Sequence, residues 1–486
     1  MSAPIVHISN LNLKYQQKLV LQDLNWAIGS GENWVLRGSS GSGKTSLARA
    51  ISGLEKFAGS IEFHFNADSA LPAVAHFVAS WYQFKDLEGQ SNFYYQQRYN
   101  KQATETTATV KAELESYGAK HQLPFHEVEK LLVALGFSEL INSTLIQLSS
   151  GEHKKLQLVK ALWFKPQLLI MDQPYNGLDK LSRQHLNELL EEITAGGTQL
   201  ILISNEKELP SVIDRFAEIK AGQLLVTANS YTDEAEEEIT RPVPGFLNEA
   251  PLSAADSVIK MIDVNISYGE KQILKNINWE VKPGEKWLLQ GHNGSGKSTL
   301  LSLITGDHPQ AYANNFYLFG NKRGSGESIW DIKKRMGLIS PELHWYFDPS
   351  ATVKHSIISG FFDSSGLFTE PDYKKRTQAA ELISYFGLDE YQDMLLNQLP
   401  LGKQRLALLA RTIIKNPELL ILDEPCQGLD QQQTQYFNKL VDELCKNGTT
   451  LIYVGHFESQ LPACIEKRIL LENGEVKSVE TILESV

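Results

Sequence analysis

The stretch that decides the fold is WVLRGSSGSGKTSLARAISGL, Trp34–Leu54, and a second version, WLLQGHNGSGKSTLLSLITG, runs from Trp287 to Gly306. Each begins with a short apolar run suited to a buried strand. A glycine-rich turn follows, closed by lysine and a hydroxyl residue, and a helical apolar period takes over. The turns are Gly38-Ser39-Ser40-Gly41-Ser42-Gly43-Lys44-Thr45 and Gly291-His292-Asn293-Gly294-Ser295-Gly296-Lys297-Ser298. Both satisfy the P-loop pattern. Glycines let backbone N–H groups curl around phosphates at a helix N-terminus, lysine reaches the β- and γ-phosphates, and the hydroxyl suits Mg²⁺. An accidental glycine-rich turn is the alternative, and two copies in a strand–turn–helix context argue against it.

Repetition extends well beyond the loops. A shift of 253 positions carries Tyr15 onto Tyr268 and Lys44 onto Lys297; a shift of 251 carries Gly151 onto Gly402 and Asp172 onto Asp423. A shift held over so long a span means a duplicated domain, and the period is far too long for a solenoid. The chain of 486 residues is also too long for one ordinary core. The spacing predicts domains over 1–228 and 258–486. Between them, 229–257 is acidic and proline-broken and is expected to be an exposed, partly extended linker. Within each half, aliphatic strand-like runs alternate with helical segments, the pattern of a parallel sheet covered by helices.

Composition narrows the setting. No run of eighteen apolar residues exists, so no membrane span is expected. The opening MSAPIVHISNLNLKY lacks a basic region followed by an apolar stretch, so no secretory signal is expected. Cys426, Cys445 and Cys464 are odd in number and contain no CxxC pair, which fits a reducing cytoplasm better than a disulfide framework or zinc site. A net charge of −12 argues against general nucleic-acid affinity.

Two further stretches carry chemistry. QLLIMDQPYNGLD (Gln167–Asp179) and ELLILDEPCQGLD (Glu418–Asp430) each read as a buried strand ending on an acid, Asp172 or Asp423, suited to hold Mg²⁺. The next position is where a general base would accept the proton of an attacking water. Glu424 can do so; the carboxamide of Gln173 cannot. An isosteric swap without consequence is the other reading of Gln173. LSSGEHKKLQLVKAL (Leu148–Leu162) reads as serine and glycine opening a basic amphipathic helix, and its counterpart is LPLGKQRLALLARTI (Leu399–Ile413). Pro400 replaces Ser149 there; proline is tolerated at a helix start, where its missing N–H would be an orphan anyway, but a hydroxyl is lost.

Together these elements resemble the ATP-binding cassette (ABC) superfamily. The resemblance implies an α/β fold of two tandem P-loop NTPase nucleotide-binding domains, each with a RecA-like core, an antiparallel β subdomain and a helical subdomain. It implies that Tyr15 and Tyr268 stack on adenine. Ser149, Ser150, Gly151 and Glu152, with Gly402 in the other copy, match the signature that contacts nucleotide. Gly177-Leu178-Asp179 and Gly428-Leu429-Asp430 match the D-loop, and His456 the switch histidine, where the first half has Asn205. For the Q-loop, Gln83 is a candidate, and Glu342 is the nearest polar stand-in in the second half. The implied ligands are two ATP per chain with Mg²⁺ at Thr45, Asp172, Ser298 and Asp423.

Members of this superfamily resemble one another in pairing head to tail, each nucleotide lying between one half's Walker motifs and the other half's signature. Under that geometry the departures Gln173, Asn205 and Pro400 all fall on one site. The opposite site would take Lys297, Ser298, Asp423, Glu424 and His456 with the first signature. The expectation is an Mg²⁺-dependent ATPase with one hydrolytic site, where Glu424, His456 and Lys297 are catalytic, and one that mainly binds ATP.

Leu300–Ser340, LLSLITGDHPQAYANNFYLFGNKRGSGESIWDIKKRMGLIS, resembles the ModF/photorepair-type group of tandem cassettes, associated by name with molybdate transport. Two roles remain open: the motor of a transporter docking onto separate membrane permease subunits, hence cytoplasmic and peripheral on the inner membrane, or a soluble ATPase switch on a translation or DNA-repair partner. The aromatic stretches NFYYQQRYN (Asn92–Asn100) and HWYFD (His344–Asp348) either form a protein-binding surface or fill the helical subdomain.

Overall fold

The computed structural model describes residues 5–15, 18–39, 41–80, 107–206, 208–227, 241–248, 255–268, 271–341, 343, 347–364, 366–455 and 461–482. They form two compact units, the first reaching Thr227 and the second starting at Arg241.

The first unit opens on an antiparallel sheet in the order Lys18–Ile28, Val6–Tyr15, Ala58–Phe63. Its second layer is a six-stranded sheet in the order Ala75–Val78, Leu168–Asp172, Gln199–Ile203, Trp34–Arg37, Arg215–Lys220, Gln223–Thr227. All its pairings are parallel except the last. The central strands LLIMD and QLILI are buried at every position, as expected of strands covered on both faces. The second unit repeats this plan. Its antiparallel sheet runs Lys271–Val281, Ile259–Tyr268, Asn315–Leu318, Asn321–Lys322. Its six-stranded sheet runs Met336–Ile339, Leu419–Asp423, Thr450–Val454, Lys286–Gln290, Lys467–Glu472, Glu475–Thr481.

The duplication is visible down to backbone irregularities. In Val6–Tyr15 the buried positions are Val6 and Ile8, then Leu11 and Leu13. The alternation slips by one at Asn10, which sits in the left-handed region at φ 49° where the ladder shifts register. Ile259 and Met261, then Val264 and Ile266, slip in the same way at Asp263, φ 49°. Asn and Asp tolerate that conformation better than other side chains, and a bulge puts both halves of the strand's apolar face on the core. Side chains secure it: Asn12 Nδ2 donates to Asp23 Oδ1 (2.8 Å), and Asn278 Nδ2 to Asp263 Oδ1 (2.8 Å).

Two expectations are revised. Residues 241–248 do not form a free linker but a strap on the second unit. Leu247 is 2% exposed within the core that includes Phe437 and Leu444, and Val243 and Phe246 pack against it. Arg241 Nη1 donates to Asp389 Oδ2 (2.9 Å) and Ser384 Oγ (3.1 Å), Asn416 Nδ2 to Phe246 O (3.4 Å), and Asn447 Nδ2 to Leu247 O. The second revision concerns the basic helix, Ser150–Phe164. Its lysines do not face solvent: Lys154, Lys155 and Lys160 are all buried, and Lys160 pairs with Glu113. Of the aromatic stretches, Asn92–Asn100 and His344–Tyr346 lie outside the described residues; Phe347 is buried in the helical layer's core.

Candidate functional site

Both P-loops link the end of a central parallel strand to a helix N-terminus, Lys44–Ile51 in one unit and Lys297–Ile304 in the other. Gly43 (φ 107°) and Gly296 (φ 103°) precede these helices in a conformation closed to most L-residues. A Cβ there would come within 2.6 Å of Leu21 Cδ2 and 2.7 Å of Leu274 Cδ2 respectively. The ammonium of Lys44 donates to the carbonyls of Gly38 and Ser39, both at 2.7 Å. Lys297 repeats this with Gly291 O (2.6 Å) and His292 O (3.0 Å). Each lysine is thus held across its own loop. Beside the first loop an open depression of about 420 Å³ is lined by Val20, Ser39, Gly41, Ser42 and Gly222.

Thr45 Oγ1 donates to Asp172 Oδ2 at 2.6 Å, so two residues 127 positions apart form one oxygen pair. Burial raises the Asp172 carboxyl above the usual range, opposed by the Thr45 hydrogen bond and by the charges of Lys154 and Lys44. A hydroxyl and a carboxylate are hard oxygen donors, the chemistry that Mg²⁺ prefers.

The residues after the two aspartates share one geometry. Gln173 lies at φ 47° and Glu424 at φ 44°. Their N–H groups donate to Ile203 O (2.9 Å) and Val454 O (3.2 Å), the last residues of the neighbouring strands. The turns that follow match as well: Asn176 N donates to Gln173 O (3.2 Å), and Gln427 N to Glu424 O (3.1 Å). Left-handed backbone at a non-glycine residue costs roughly 1–3 kcal/mol and persists where its surroundings impose it. Both units impose it, and only the second places a carboxylate there. Asp179 and Asp430 cap the next helices, accepting from Ser182 N and Gln433 N, each at 2.8 Å. Asn205 Nδ2 donates to Gly38 O at 3.3 Å, tying its strand end to the P-loop.

The signature helices begin differently. Ser149 caps Ser150–Phe164 in a capping box: Glu152 Oε2 accepts from Ser149 N (2.7 Å) and Ser149 Oγ (2.8 Å). Leu401–Ile413 has Pro400 at its N-cap with no side-chain acceptor, one position before the first helical turn. Gly402 is packed so closely that a Cβ would meet Gln433 Cδ at 2.9 Å. Ser40, Gln83, Glu342 and His456, and the side chains of Tyr15 and Ser150, lie outside the described residues.

Sequence reasoning missed two buried cations. Lys154 Nζ donates to Ala79 O (3.0 Å) and Ser80 O (3.2 Å) near Asp172, and burial lowers its pKa to about 7. Arg405, at the equivalent position, is fully buried and donates to Gln427 O (3.3 Å) near Cys426 and Glu424; burial lowers it to about 10. The signal available was a cation kept at the same place in both copies of an otherwise apolar helix face.

The model of the family described as ABC transporter matches residues 21–176 and 274–427. The ABC transporter ATP-binding protein ModF of Escherichia coli is 36% identical over 465 residues, covering 91% of each chain. An uncharacterized ABC transporter ATP-binding protein of Schizosaccharomyces pombe is 30% identical over 490 residues, covering 98% of this chain and 99% of the relative. Among solved structures, cbiO1 of Clostridium perfringens, part of the ABC transporter complex cbiONQ, is 23% identical with a TM-score of 0.41, covering 46% of this chain and 89% of its own. No helix among the described residues is long and apolar enough to cross a membrane. The chain belongs to the ABC transporter family of ATP-binding proteins, as an ATPase with two cassettes in tandem.

Proposed function

We propose that this protein is an asymmetric ABC ATPase in which two ATP molecules bind and one is hydrolysed at a useful rate. The observation that carries the proposal is the shared left-handed turn at Gln173 and Glu424, with an acid in the second unit alone. Glu424 accepts the proton of the water that attacks the γ-phosphorus; the new P–O bond forms as the bond to the β,γ-bridging oxygen breaks, giving ADP and phosphate. Lys297 spreads the charge of the leaving and transferred phosphates, and His456 contacts the γ-phosphate. Ser298 and Asp423 in one half, and Thr45 and Asp172 in the other, would hold Mg²⁺, which would supply neutralisation of phosphate charge. Loss of a general base costs about 10²–10⁴ in rate, which is the deficit assigned to Gln173.

Mutating the two lysines separately tests the asymmetry. Lys297→Ala should abolish single-turnover hydrolysis and Lys44→Ala should largely spare it; comparable loss in both would end the proposal.

The work driven by hydrolysis is read as that of a transporter motor on separate permease subunits, at the cytoplasmic membrane face. Support comes from the relative named ModF, an ABC transporter ATP-binding protein. Affinity purification of the Glu424→Gln chain in ATP tests this. Recovery of membrane permeases supports it, and recovery of ribosomes or DNA instead identifies a soluble switch.

A further inference from the structure

The segment Leu300–Ser340 is distinctive in sequence, and ATP hydrolysis leaves its character unexplained. Within it, His308-Pro309-Gln310 closes on the strand that ends in Tyr268. Three bonds are made. The Tyr268 hydroxyl lies 2.8 Å from His308 Nε2. Gln310 Nε2 donates to Ser267 O at 2.7 Å, and Gln310 Oε1 accepts from Ser267 N at 3.2 Å. One side-chain amide therefore holds both backbone groups of the residue before Tyr268, while the imidazole holds its ring tip.

The clasp is itself rigid. His308 is 1% exposed, and its N–H donates to Ser302 O at 3.1 Å. Its Nδ1 accepts from Gln310 N at 3.2 Å, capping the short helical turn Pro309–Ala313, and Pro309 restricts the backbone between the two clasping side chains. Burial holds the imidazole down to about 4, so it is neutral near pH 7. A neutral ring with Nδ1 accepting carries its proton on Nε2, so His308 donates and the Tyr268 oxygen accepts. Tyr268, meanwhile, is 43% exposed. An exposed ring is thus tethered at its tip by a buried imidazole and at the preceding backbone by a half-buried amide.

At the corresponding positions of the first unit the residue types differ. There His308 becomes Glu55, which pairs with Arg49 (3.3 Å), and Gln310 becomes Phe57, which packs against the core.

We propose that His308 and Gln310 are positioning residues for the nucleobase, fixing the Tyr268 ring to receive adenine at the second unit's site. This rests on the reading of Tyr268 as the base-stacking residue. A ring fixed before binding avoids the ordering cost of one side chain, worth about two- to tenfold in affinity.

The test uses the full chain and reads half-saturating ATP and maximal rate in steady-state hydrolysis. Inorganic tripolyphosphate serves as a competitor that has phosphates and no base. His308→Ala and Tyr268→Phe are each expected to raise half-saturating ATP about two- to tenfold, with the maximal rate moving less than twofold. The double variant should be no worse than either single one, because both remove the same bond. Inhibition by tripolyphosphate should stay unchanged. Tyr268→Phe deletes one hydroxyl, so it keeps the test open if His308→Ala fails to fold. If Tyr268→Ala weakens ATP binding while His308→Ala and Tyr268→Phe do not, the positioning role is overturned and the stacking reading stands. If Tyr268→Ala changes nothing, the stacking reading falls and takes the inference with it. Equal weakening of ATP and tripolyphosphate by His308→Ala would show mere damage to the neighbouring P-loop and would also overturn it.

Discussion

Replacing Glu424 by Gln tests the catalytic assignment with little structural disturbance, because the protein already contains the answer to whether the turn accepts a carboxamide. Gln173 sits at φ 47° with its N–H on Ile203 O, against φ 44° and Val454 O for Glu424. The turn should therefore survive. One secondary cost is expected: buried Arg405 loses a neighbouring negative charge but keeps the Gln427 carbonyl at 3.3 Å. A loss of about 1 kcal/mol lowers the melting temperature by roughly 2–4 °C in a domain of this size. The chemical cost is much larger. Without an acceptor for the water proton, turnover should fall about 10²–10⁴-fold, or roughly 2.7–5.4 kcal/mol at 1.36 kcal/mol per tenfold. Phosphate release at saturating ATP measures the rate, and a thermal melt in parallel measures the fold. The reciprocal change, Gln173→Glu, should alter turnover less than twofold, since Asn205 remains. Retention of more than about a tenth of the wild-type rate by Glu424→Gln, with melting unchanged, would refute the role. A clear gain from Gln173→Glu would show that Gln173 alone disables the first site and would refute a contribution from Asn205.

Three further outcomes are expected. Calorimetry should give two ATP bound per chain, because both P-loops keep their lysine and glycines; a stoichiometry near one would contradict this. Leu247→Ala in the strap should cost about 2–5 kcal/mol in denaturant unfolding of the second unit, as a fully buried leucine does, whereas Arg241→Ala, with partners about half exposed, should cost under about 1 kcal/mol. Equal effects would show that the strap is held by charge and not by burial. Ser149→Ala should destabilise the first unit by roughly 1 kcal/mol through loss of the capping box, and Pro400→Ser should stabilise the second by a similar amount, both read as shifts in urea midpoint.

Much of the site was legible along the chain because its chemistry is local. A P-loop is eight consecutive residues whose glycines are demanded by the backbone path, and Gly43 and Gly296 at φ 107° and 103° show that demand met twice. Asp172 and Asp423 could be read from apolar runs of strand length ending on an acid. The substitution at Gln173 is likewise a chemical fact about one side chain and needed no fold to be noticed.

Other features depended on the folded chain because they join residues that no periodicity links. The bond from Thr45 to Asp172 crosses 127 positions. Tyr268 meets His308 across 40. Pattern alone read Leu148–Leu162 as a basic amphipathic helix and 229–257 as an exposed linker, since charge and proline ordinarily mark exposure. Burial instead followed from neighbours: carbonyls at Ala79 and Ser80 satisfy Lys154, and a gap over the second core accepts Leu247. Whether a charged or tethered segment is buried depends on what distant groups offer it, and hydrogen bonds and apolar contact between remote residues come into being when the layers pack.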